Sequence, residues 1–247
     1  MQIKAKEMHL WWCRVNHQHH PEMMAERLLS DEERARFKRL HAAGKRAEFL
    51  MSRVLARTAL SHYLNIPPEE VNFKRTPLGK PSLDPPCHIE FNLSNTSKLA
   101  VCIISASGPV GIDIEPLGRG GEIMEIADIF FSGTEREELA TLDPRSQPER
   151  ALSLWTLKEA FLKAKGLGIY SEAEKIAFLY RGTGRPGLAA SPDIEPMPER
   201  WHFKNIDFMD HRIALAATTP FQASSVRFVA LKPPVAMPAA SEQPSIL

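Results

Sequence analysis

The sequence predicts a mixed α+β (α/β) fold that is built as two similar lobes. Short apolar runs with the period of a strand alternate with longer segments that have the period of a helix. The order strand, helix, helix, strands occurs in residues 1–108 and recurs loosely in residues 109–231. The chain has 247 residues and is 43% hydrophobic, which is enough for one large domain or two small ones. Residues 232–247 lack apolar periodicity and are predicted to form a disordered tail.

Local signals predict the elements of the N-terminal lobe. Residues 8–15 are a short apolar run that predicts the first strand, and Ser30-Asp-Glu-Glu33 is the capping box of a helix start. Residues 47–64 have an apolar face at helical spacing, and Asn65-Ile-Pro-Pro68 ends this helix. The other predicted strands of this lobe are residues 71–74, 88–93 and 99–105.

The C-terminal lobe has its own helix signals. Residues 122–131 have an apolar helical pattern, and Ser132-Gly-Thr-Glu135 is a second capping box, which predicts a helix through Leu142. A further helix around Trp155 is predicted to end at Gly166, because glycine adopts the left-handed conformation at low cost. The predicted strands are residues 110–115, 175–180, 201–208, 212–218 and 226–231.

Composition excludes several classes of protein. The net charge is +1, so nothing indicates a nucleic acid or membrane surface as partner, and any polyanion site must come from local clusters of Lys and Arg. No run approaches the roughly 20 apolar residues of a membrane span. The cysteines are odd in number and lack CxxC spacing, which indicates a reducing, cytoplasmic compartment. They are Cys13, Cys87 and Cys102.

Two carboxylates follow each other on one predicted strand. In Gly111-Ile-Asp-Ile-Glu-Pro116, Asp113 and Glu115 alternate with aliphatic residues, so both acids face the same side. Their repulsion would be relieved by a cation between them, and oxygen ligands of this kind suit Mg²⁺. A solvated strand surface is the alternative. The histidines His17, His19 and His20 lack the spacing of metal ligands, which favours a solvated loop.

A second group of polar residues lies on the helix around Trp155. Spacing by four aligns Trp155, Glu159 and Lys163 on one side, so Glu159 offers a third carboxylate and Lys163 a cation for a phosphate. An ordinary surface ion pair between Glu159 and Lys163 is the alternative interpretation.

Four motifs in this order resemble the Sfp-type (surfactin-type) 4′-phosphopantetheinyl transferases over residues 45–168. They are Gly111-Ile-Asp-Ile-Glu115, Trp155-Thr-Leu-Lys-Glu-Ala-Phe-Leu-Lys163, Leu78-Gly-Lys-Pro81 and Phe91-Asn-Leu-Ser94. The resemblance implies Mg²⁺-dependent transfer of the phosphopantetheine arm of coenzyme A to a serine of an acyl or peptidyl carrier protein. It also implies a monomer of two pseudo-symmetric lobes, each a small antiparallel sheet packed with helices, with the active site in the cleft between them.

Site residues follow from the same resemblance. Asp113, Glu115 and Glu159 match the magnesium carboxylates, with Mn²⁺ as an alternative ion. Glu159, Lys163 and Asp113 form the catalytic group, in which Glu159 or a metal-bound water takes the serine proton. The residues assigned to coenzyme A are Arg46, Arg53, Gly79, Lys80, Pro81, Ser94, Asn95, Asp113 and Lys163. Lys45 is an alternative to Arg46.

The sequence departs from the family pattern at Asn95, where the family usually has histidine, and in the segment after Gly168. An amide donates a hydrogen bond to a phosphate but carries no charge, so weaker coenzyme A binding or compensation by a nearby Arg is expected. Two other functions stay open: a general Mg²⁺-dependent phosphotransferase, and a non-catalytic coenzyme A or carrier-protein binding module. No Walker-type motif supports the first. The basic segment 34–46 and the apolar segment 123–131 are candidate docking surfaces for the carrier.

Overall fold

The computed structural model describes residues 1–15, 27–168, 173–181 and 185–231. The histidine segment with His17, His19 and His20, the predicted tail 232–247 and most of the divergent segment after Gly168 lie outside the described residues. Among the described residues, no helix is both long enough and apolar enough to cross a membrane.

A four-stranded sheet forms the N-terminal half. Its strand order is β11 (Val226–Ala230), β1 (Met8–Arg14), β5 (Leu99–Ser105) and β4 (Glu90–Asn95). β1 is antiparallel to β5 and β5 to β4, but β1 and β11 are parallel. The sheet therefore differs from the purely antiparallel sheet that was expected. The reason is that the last strand, which its position in the sequence assigns to the C-terminal lobe, pairs with the open edge of β1.

Two helices belong to this sheet. α1 (Asp31–Lys38) begins with the predicted capping box, in which the side chains of Ser30 and Glu33 each accept from the other's backbone N–H. α2 (Ala43–Leu64) begins at Ala43 rather than residue 47 and ends at Asn65, whose φ of 56° is left-handed. α2 covers one face of the sheet, and α1 packs on α2 through Phe37.

A three-stranded antiparallel sheet forms the C-terminal half. Its order is β6 (Val110–Pro116), β10 (His211–Ala217) and β9 (His202–Phe208). As the alternation predicts, Val110, Ile112 and Ile114 face a core that this sheet shares with β1 and β5. α6 (Gln147–Lys165) covers the other face and ends at Gly166 with φ 74°, as predicted. The layers are therefore α2, first sheet, second sheet and α6.

The remaining elements are short. The predicted helix over residues 122–131 is two helices, α3 (Gly120–Glu125) and α4 (Ala127–Phe130), and the second capping box begins α5 (Gly133–Thr141). The part of the chain that the structure describes also contains two hairpins: β2 (Asn72–Arg75) with β3 (Pro81–Asp84), and β7 (Ile176–Arg181) with β8 (Arg185–Ala190). The mixed α+β class is confirmed, and the β structure of the described residues is divided among several small sheets. The domain boundary near Gly108 stays a prediction.

A fully buried ion pair joins three elements of the C-terminal half. Lys158 of α6 and Glu135 of α5 are both 0% exposed, and Lys158 Nζ lies 2.7 Å from Glu135 Oε2. The ammonium also donates to the carbonyls of Ala173 and Ile176, each at 2.6 Å. Glu135 Oε1 accepts from the backbone N–H of Phe178 at 2.9 Å. The pair therefore ties α5 and β7 to the helix that carries Glu159 and Lys163.

Replacing Lys158 with methionine should cost about 3–5 kcal/mol of unfolding free energy, because Glu135 is left buried without a cation. Chemical denaturation of the purified chain measures the change. The double variant Lys158→Met, Glu135→Gln should recover part of the loss, and Lys98→Met on an exposed turn should change stability by about 0.5 kcal/mol or less. Equal stabilities of Lys158→Met and Lys98→Met would contradict the prediction.

Candidate active site

The site is positioned by close contact between β6 and α6. A Cβ on Gly111 would overlap the carbonyl oxygen of Ala160 and would lie 2.8 Å from Ala164 Cβ. Only glycine therefore allows the strand backbone to lie this near the helix. Residues two apart on a strand share a face, so Asp113 is on the same side and meets Lys163 of α6.

Asp113, Lys163 and Ser94 form one hydrogen-bonded group across three elements. Lys163 Nζ donates to Asp113 Oδ1 at 2.6 Å and to Ser94 Oγ at 2.9 Å, and Ser94 Oγ donates to Asp113 Oδ1 at 3.0 Å. Asp113 is only 3% exposed, and its Oδ2 is buried with no hydrogen-bond partner among the described residues. Burial lowers the pKa of Lys163, but the charges of Asp113 and Glu159 outweigh it and raise that pKa above its usual value.

Glu115 has a cation of its own. Arg119 Nη1 contacts Glu115 Oε1, and Arg119 Nε lies 3.5 Å from Glu122 Oε2. The guanidinium of Arg119 also lies 5.7 Å from the ring centre of Trp155. Burial and the charge of Asp113 raise the pKa of Glu115, while Arg119 opposes the shift. Arg119 therefore neutralises part of the charge at this end of the site.

Glu159 is the half-buried third carboxylate. Burial raises its pKa from 4.5 to about 7, with Lys163 opposing the shift and the charges of Asp113 and Glu115 adding to it. The three predicted metal carboxylates thus lie near enough to affect one another. Within the part of the chain that the structure describes, however, no three His, Cys, Asp or Glu side chains are arranged as a ready metal site. Lys163 and Arg119 instead contact Asp113 and Glu115.

The predicted loop residue Lys80 also reaches α6. Its Nζ donates to the carbonyl oxygen of Ala164 at 2.7 Å, one residue beyond Lys163. Gly79 has φ 88° in the turn before it, which requires glycine, and Pro81 begins β3. Burial lowers the pKa of Lys80, with Glu90 opposing. The hairpin β2–β3 is therefore fastened to the end of α6 beside the site.

Asn95 is held by α2. Its Oδ1 accepts from Ser52 Oγ at 3.0 Å, and its Nδ2 donates to Glu48 Oε2 at 3.3 Å. The same Glu48 oxygen accepts from Lys45 Nζ at 2.8 Å. The amide is thus oriented by α2, while the neighbouring Ser94 contacts Asp113 and Lys163.

Arg46 and Arg53 lie beside α1. The guanidinium of Arg46 lies 4.5 Å from the ring centre of Phe37, and Arg53 Nε lies 3.0 Å from Glu33 Oε1. Burial lowers the pKa of Arg53 to about 10. These contacts do not join either arginine to the group of Asp113, Lys163 and Ser94.

Sequence reasoning missed several residues that contact the predicted site residues, among them Arg119, Glu48 and Ser52. Glu48 and Ser52 are four apart on α2, so helical spacing indicates a shared face, but no local signal shows that this face meets Asn95. Arg119 is four residues after Glu115, yet the intervening chain changes from strand to a 3₁₀ turn, where helical spacing has no meaning.

Asp113, Lys163 and Ser94 therefore meet where β4, β6 and α6 come together, with Glu115 and Glu159 near enough to affect one another's pKa values. Acids and cations on rigid elements are the groups that sites for phosphoryl-transfer chemistry use, since positioning and charge neutralisation do most of that catalysis.

Comparison with known proteins specifies the family. Residues 15–107 match the model described as 4′-phosphopantetheinyl transferase, N-terminal, and residues 109–216 match that of the 4′-phosphopantetheinyl transferase superfamily. The HetI transferase of Nostoc sp. is 32% identical over 196 residues, which cover 77% of this chain and 81% of the relative. The chain belongs to the 4′-phosphopantetheinyl transferase superfamily and is a transferase of the Sfp/HetI type, as the sequence motifs predict.

Other relatives match smaller parts. The gsp transferase of Aneurinibacillus migulanus is 41% identical over 122 residues, 49% of each chain. The Sfp transferase of Bacillus subtilis is 31% identical over 144 residues, covering 57% of this chain and 62% of Sfp. A holo-(acyl-carrier-protein) synthase structure from Bacillus anthracis is 21% identical with a TM-score of 0.37, covering 44% of this chain and 92% of that one.

Replacing Gly111 with alanine should cost about 1–3 kcal/mol of stability and lower the transfer rate, because the added methyl separates Asp113 from Lys163. Thermal unfolding and initial rates measure the two effects. Gly118→Ala is the matched control, since its Cβ would have no atom within 4 Å. Equal effects of the two substitutions would argue against close strand–helix contact as the positioning device.

The free energy of unfolding of the metal-free chain should decrease as pH rises, and Glu159 should contribute to this decrease. Its folded pKa of about 7 exceeds its usual 4.5, so the folded state holds the extra proton between these values and stability falls as pH increases through them. Thermal unfolding in EDTA from pH 4.5 to 8 should have a shallower negative slope for Glu159→Gln than for the wild type. Titratable groups far from Glu159 cancel in this comparison, and identical slopes would refute the raised pKa.

Proposed function

We propose that this transferase moves the phosphopantetheine arm of coenzyme A to a serine hydroxyl of an acyl or peptidyl carrier protein and releases 3′,5′-ADP. The single observation that carries the proposal is the group of Asp113, Lys163 and Ser94, hydrogen-bonded across β6, α6 and β4 with Glu159 beside it. A protonated lysine that is held in place by a carboxylate and a hydroxyl is a suitable partner for the negatively charged oxygens of a diphosphate. The family membership supports the same donor and acceptor.

Mg²⁺, or Mn²⁺ in its place, fits the donor set. Asp113 Oδ2 is buried and has no hydrogen-bond partner among the described residues, so one carboxylate oxygen remains available. The charges of Asp113 and Glu115 both contribute to the raised pKa of Glu159, a repulsion that a divalent cation relieves. Asp113, Glu115 and Glu159 would hold the ion, which neutralises diphosphate charge when bound.

The chain's own residues have distinct roles in this proposal. Lys163 offsets charge on the diphosphate, because its ammonium stays protonated at neutral pH. Glu159, or a water on the metal, takes the proton of the carrier serine. Asp113 orients Lys163 through the 2.6 Å contact. Glu159 and Lys163 are one helical turn apart, so they act on the same region.

Coenzyme A binding is proposed for the residues around this group. Lys80, with Gly79 and Pro81, lies at the end of α6, and Ser94 and Asn95 end β4. Arg46 and Arg53 have less support, since Arg53 is paired with Glu33. Because β4 precedes residue 108 whereas β6 and α6 follow it, the proposed site bridges two pseudo-symmetric lobes and lies in the cleft between them. A monomer is proposed.

A cytoplasmic location completes the proposal. All three cysteines are free thiols, and burial raises the pKa of the Cys13 thiol to about 12. Unpaired thiols of this kind fit a reducing compartment.

The decisive experiment incubates the purified chain with coenzyme A, Mg²⁺ and an apo carrier protein, and follows the phosphopantetheine adduct by intact-mass spectrometry. A hydrolase would release nucleotide without an adduct, and a binding module would do neither. Either result would refute the proposed transfer.

Asp113→Asn and Glu159→Gln should keep the fold and lower transfer by about 10²-fold or more, because each removes charge at the reacting group. Glu137→Gln, on an exposed position of α5, is the matched control and should transfer at the wild-type rate. Circular dichroism checks that each variant is folded. A folded Glu159→Gln with full activity would remove Glu159 from the mechanism.

A further inference from the structure

Three buried polar side chains alternate along the face of β4 that meets the C-terminal half. They are Asn92, Ser94 and Thr96. Asn92 Oδ1 accepts from the backbone N–H of Ile112 at 3.0 Å, and Thr96 Oγ1 lies 3.1 Å from His211 Nε2. Ser94, between them, contacts Asp113 and Lys163. The strand is therefore held against the C-terminal half on both sides of the serine of the proposed site.

We propose that His211 is a positioning residue of the transferase. Its imidazole fixes the end of β4 from the side of β10, and so sets the place of Ser94 and Asn95 relative to α6. This inference rests on the proposed function, in which Ser94 and Asn95 bind coenzyme A. His211 itself does not touch the donor in this proposal.

The partners of His211 determine where its proton lies. Nδ1 is 2.5 Å from the carbonyl oxygen of Met209, which can only accept, so Nδ1 carries the proton and donates it. Thr96 Oγ1 accepts from the backbone N–H of Lys98 at 3.2 Å and of Leu99 at 3.1 Å, which uses both of its lone pairs. The hydroxyl proton of Thr96 therefore donates to Nε2, and each polar atom of the two side chains has a partner.

A tight turn holds His211 in place. Met209 and Asp210, between β9 and β10, have φ of 46° and 58°, a conformation that favours Asn-Gly and is costly for other residues. The Nδ1 bond fastens His211 to this turn, and the carbonyl oxygen of Asp210 accepts from the backbone N–H of Leu117 at 3.0 Å. Leu117 is two residues after Glu115. The imidazole thus joins the end of β4 to a turn that adjoins the Glu115 end of β6.

The bond between Thr96 and His211 is coupled to the site through a short backbone path. The N–H of Thr96 donates to the carbonyl oxygen of Leu99 at 2.8 Å, so the turn after β4 is closed and moves as a unit. Ser94 Oγ lies 2.9 Å from Lys163 Nζ, and a displacement of about 1 Å is enough to disrupt such a contact. Because Thr96 and His211 are both buried, removing either partner leaves the other unpaired and favours such a displacement.

The test uses the fact that Gln and Asn each reproduce one nitrogen of histidine. The amide of Gln reaches the position of Nε2, so His211→Gln keeps an acceptor for Thr96 and should hold the KM for coenzyme A within about 2-fold of the wild type. The shorter Asn reaches only the position of Nδ1, so His211→Asn should raise this KM by about 5–10-fold and change kcat by about 2-fold or less. Initial rates with Mg²⁺ and an apo carrier protein measure both constants. His202→Asn, at the other end of the β9–β10 pair, is the matched control and should keep the wild-type KM.

Substitutions of Thr96 repeat the test from the other partner, which keeps the proposal testable if the His211 variants do not fold. Thr96→Val removes the hydroxyl and should raise the KM as His211→Asn does, whereas Thr96→Ser keeps the hydroxyl and should not. The double variant Thr96→Val, His211→Asn should have a KM no higher than Thr96→Val alone. Multiplying effects in the double variant, or a loss of thermal stability in these variants with the KM unchanged, would overturn the proposal.

Ser94→Ala separates this inference from the proposed function. Calorimetric titration with coenzyme A in Mg²⁺ should show weaker binding for Ser94→Ala, His211→Asn and Thr96→Val. If only Ser94→Ala binds more weakly, the proposed function stands and the role of His211 is refuted. If Ser94→Ala binds as tightly as the wild type, the proposed role of Ser94 fails and the inference fails with it.

Discussion

The contact between Gly111 and α6 is the constraint on which the candidate site depends. The aliphatic residues of β6 face the core between the two sheets, so the opposite face of the strand must meet the helix. Without a side chain at residue 111, the strand approaches Ala160 and Ala164 closely enough for Asp113 and Lys163 to form a 2.6 Å contact. The alternation that builds the core therefore also directs the carboxylate of Asp113 towards α6. The same packing of β6 on α6 stabilises the fold and positions this carboxylate.

Charge is balanced locally as well as over the whole molecule. The net charge is +1, Lys163 and Arg119 contact two of the three predicted site carboxylates, and Lys158 is paired with Glu135 deeper in the same half. Such pairs avoid the cost of isolated buried charge but add little stability by themselves. Their value here is positional, because each fixes one side chain relative to another element. The pair at Lys158 holds α5 and β7 to the helix whose next residue is Glu159.

Local sequence patterns predicted much of the fold and part of the site. The alternation in residues 110–115, the two capping boxes and the end of α6 at Gly166 depend on neighbouring residues, and all are confirmed. The parallel pairing of β11 with β1 was missed because it joins residues from opposite ends of the chain. β8 was missed because Arg-Pro-Gly-Leu-Ala-Ala lacks the β-branched and aromatic residues typical of strands. The contacts of Arg119 and Asn95 depend on packing that no local pattern encodes.

Asn95 bears on how the two halves would share the binding of an anionic donor. Its amide is oriented by Ser52 and Glu48, and Glu48 is in turn bound by Lys45, so this end of β4 is close to electrically neutral. A neutral amide positions a phosphate through hydrogen bonding but adds little Coulomb attraction. In the proposed function, attraction for the donor would then come mainly from Lys163 and from Lys80, which reaches the end of α6 from the hairpin. Since Lys80 reaches α6 from the N-terminal half, the distance between the hairpin and the helix would then affect donor affinity.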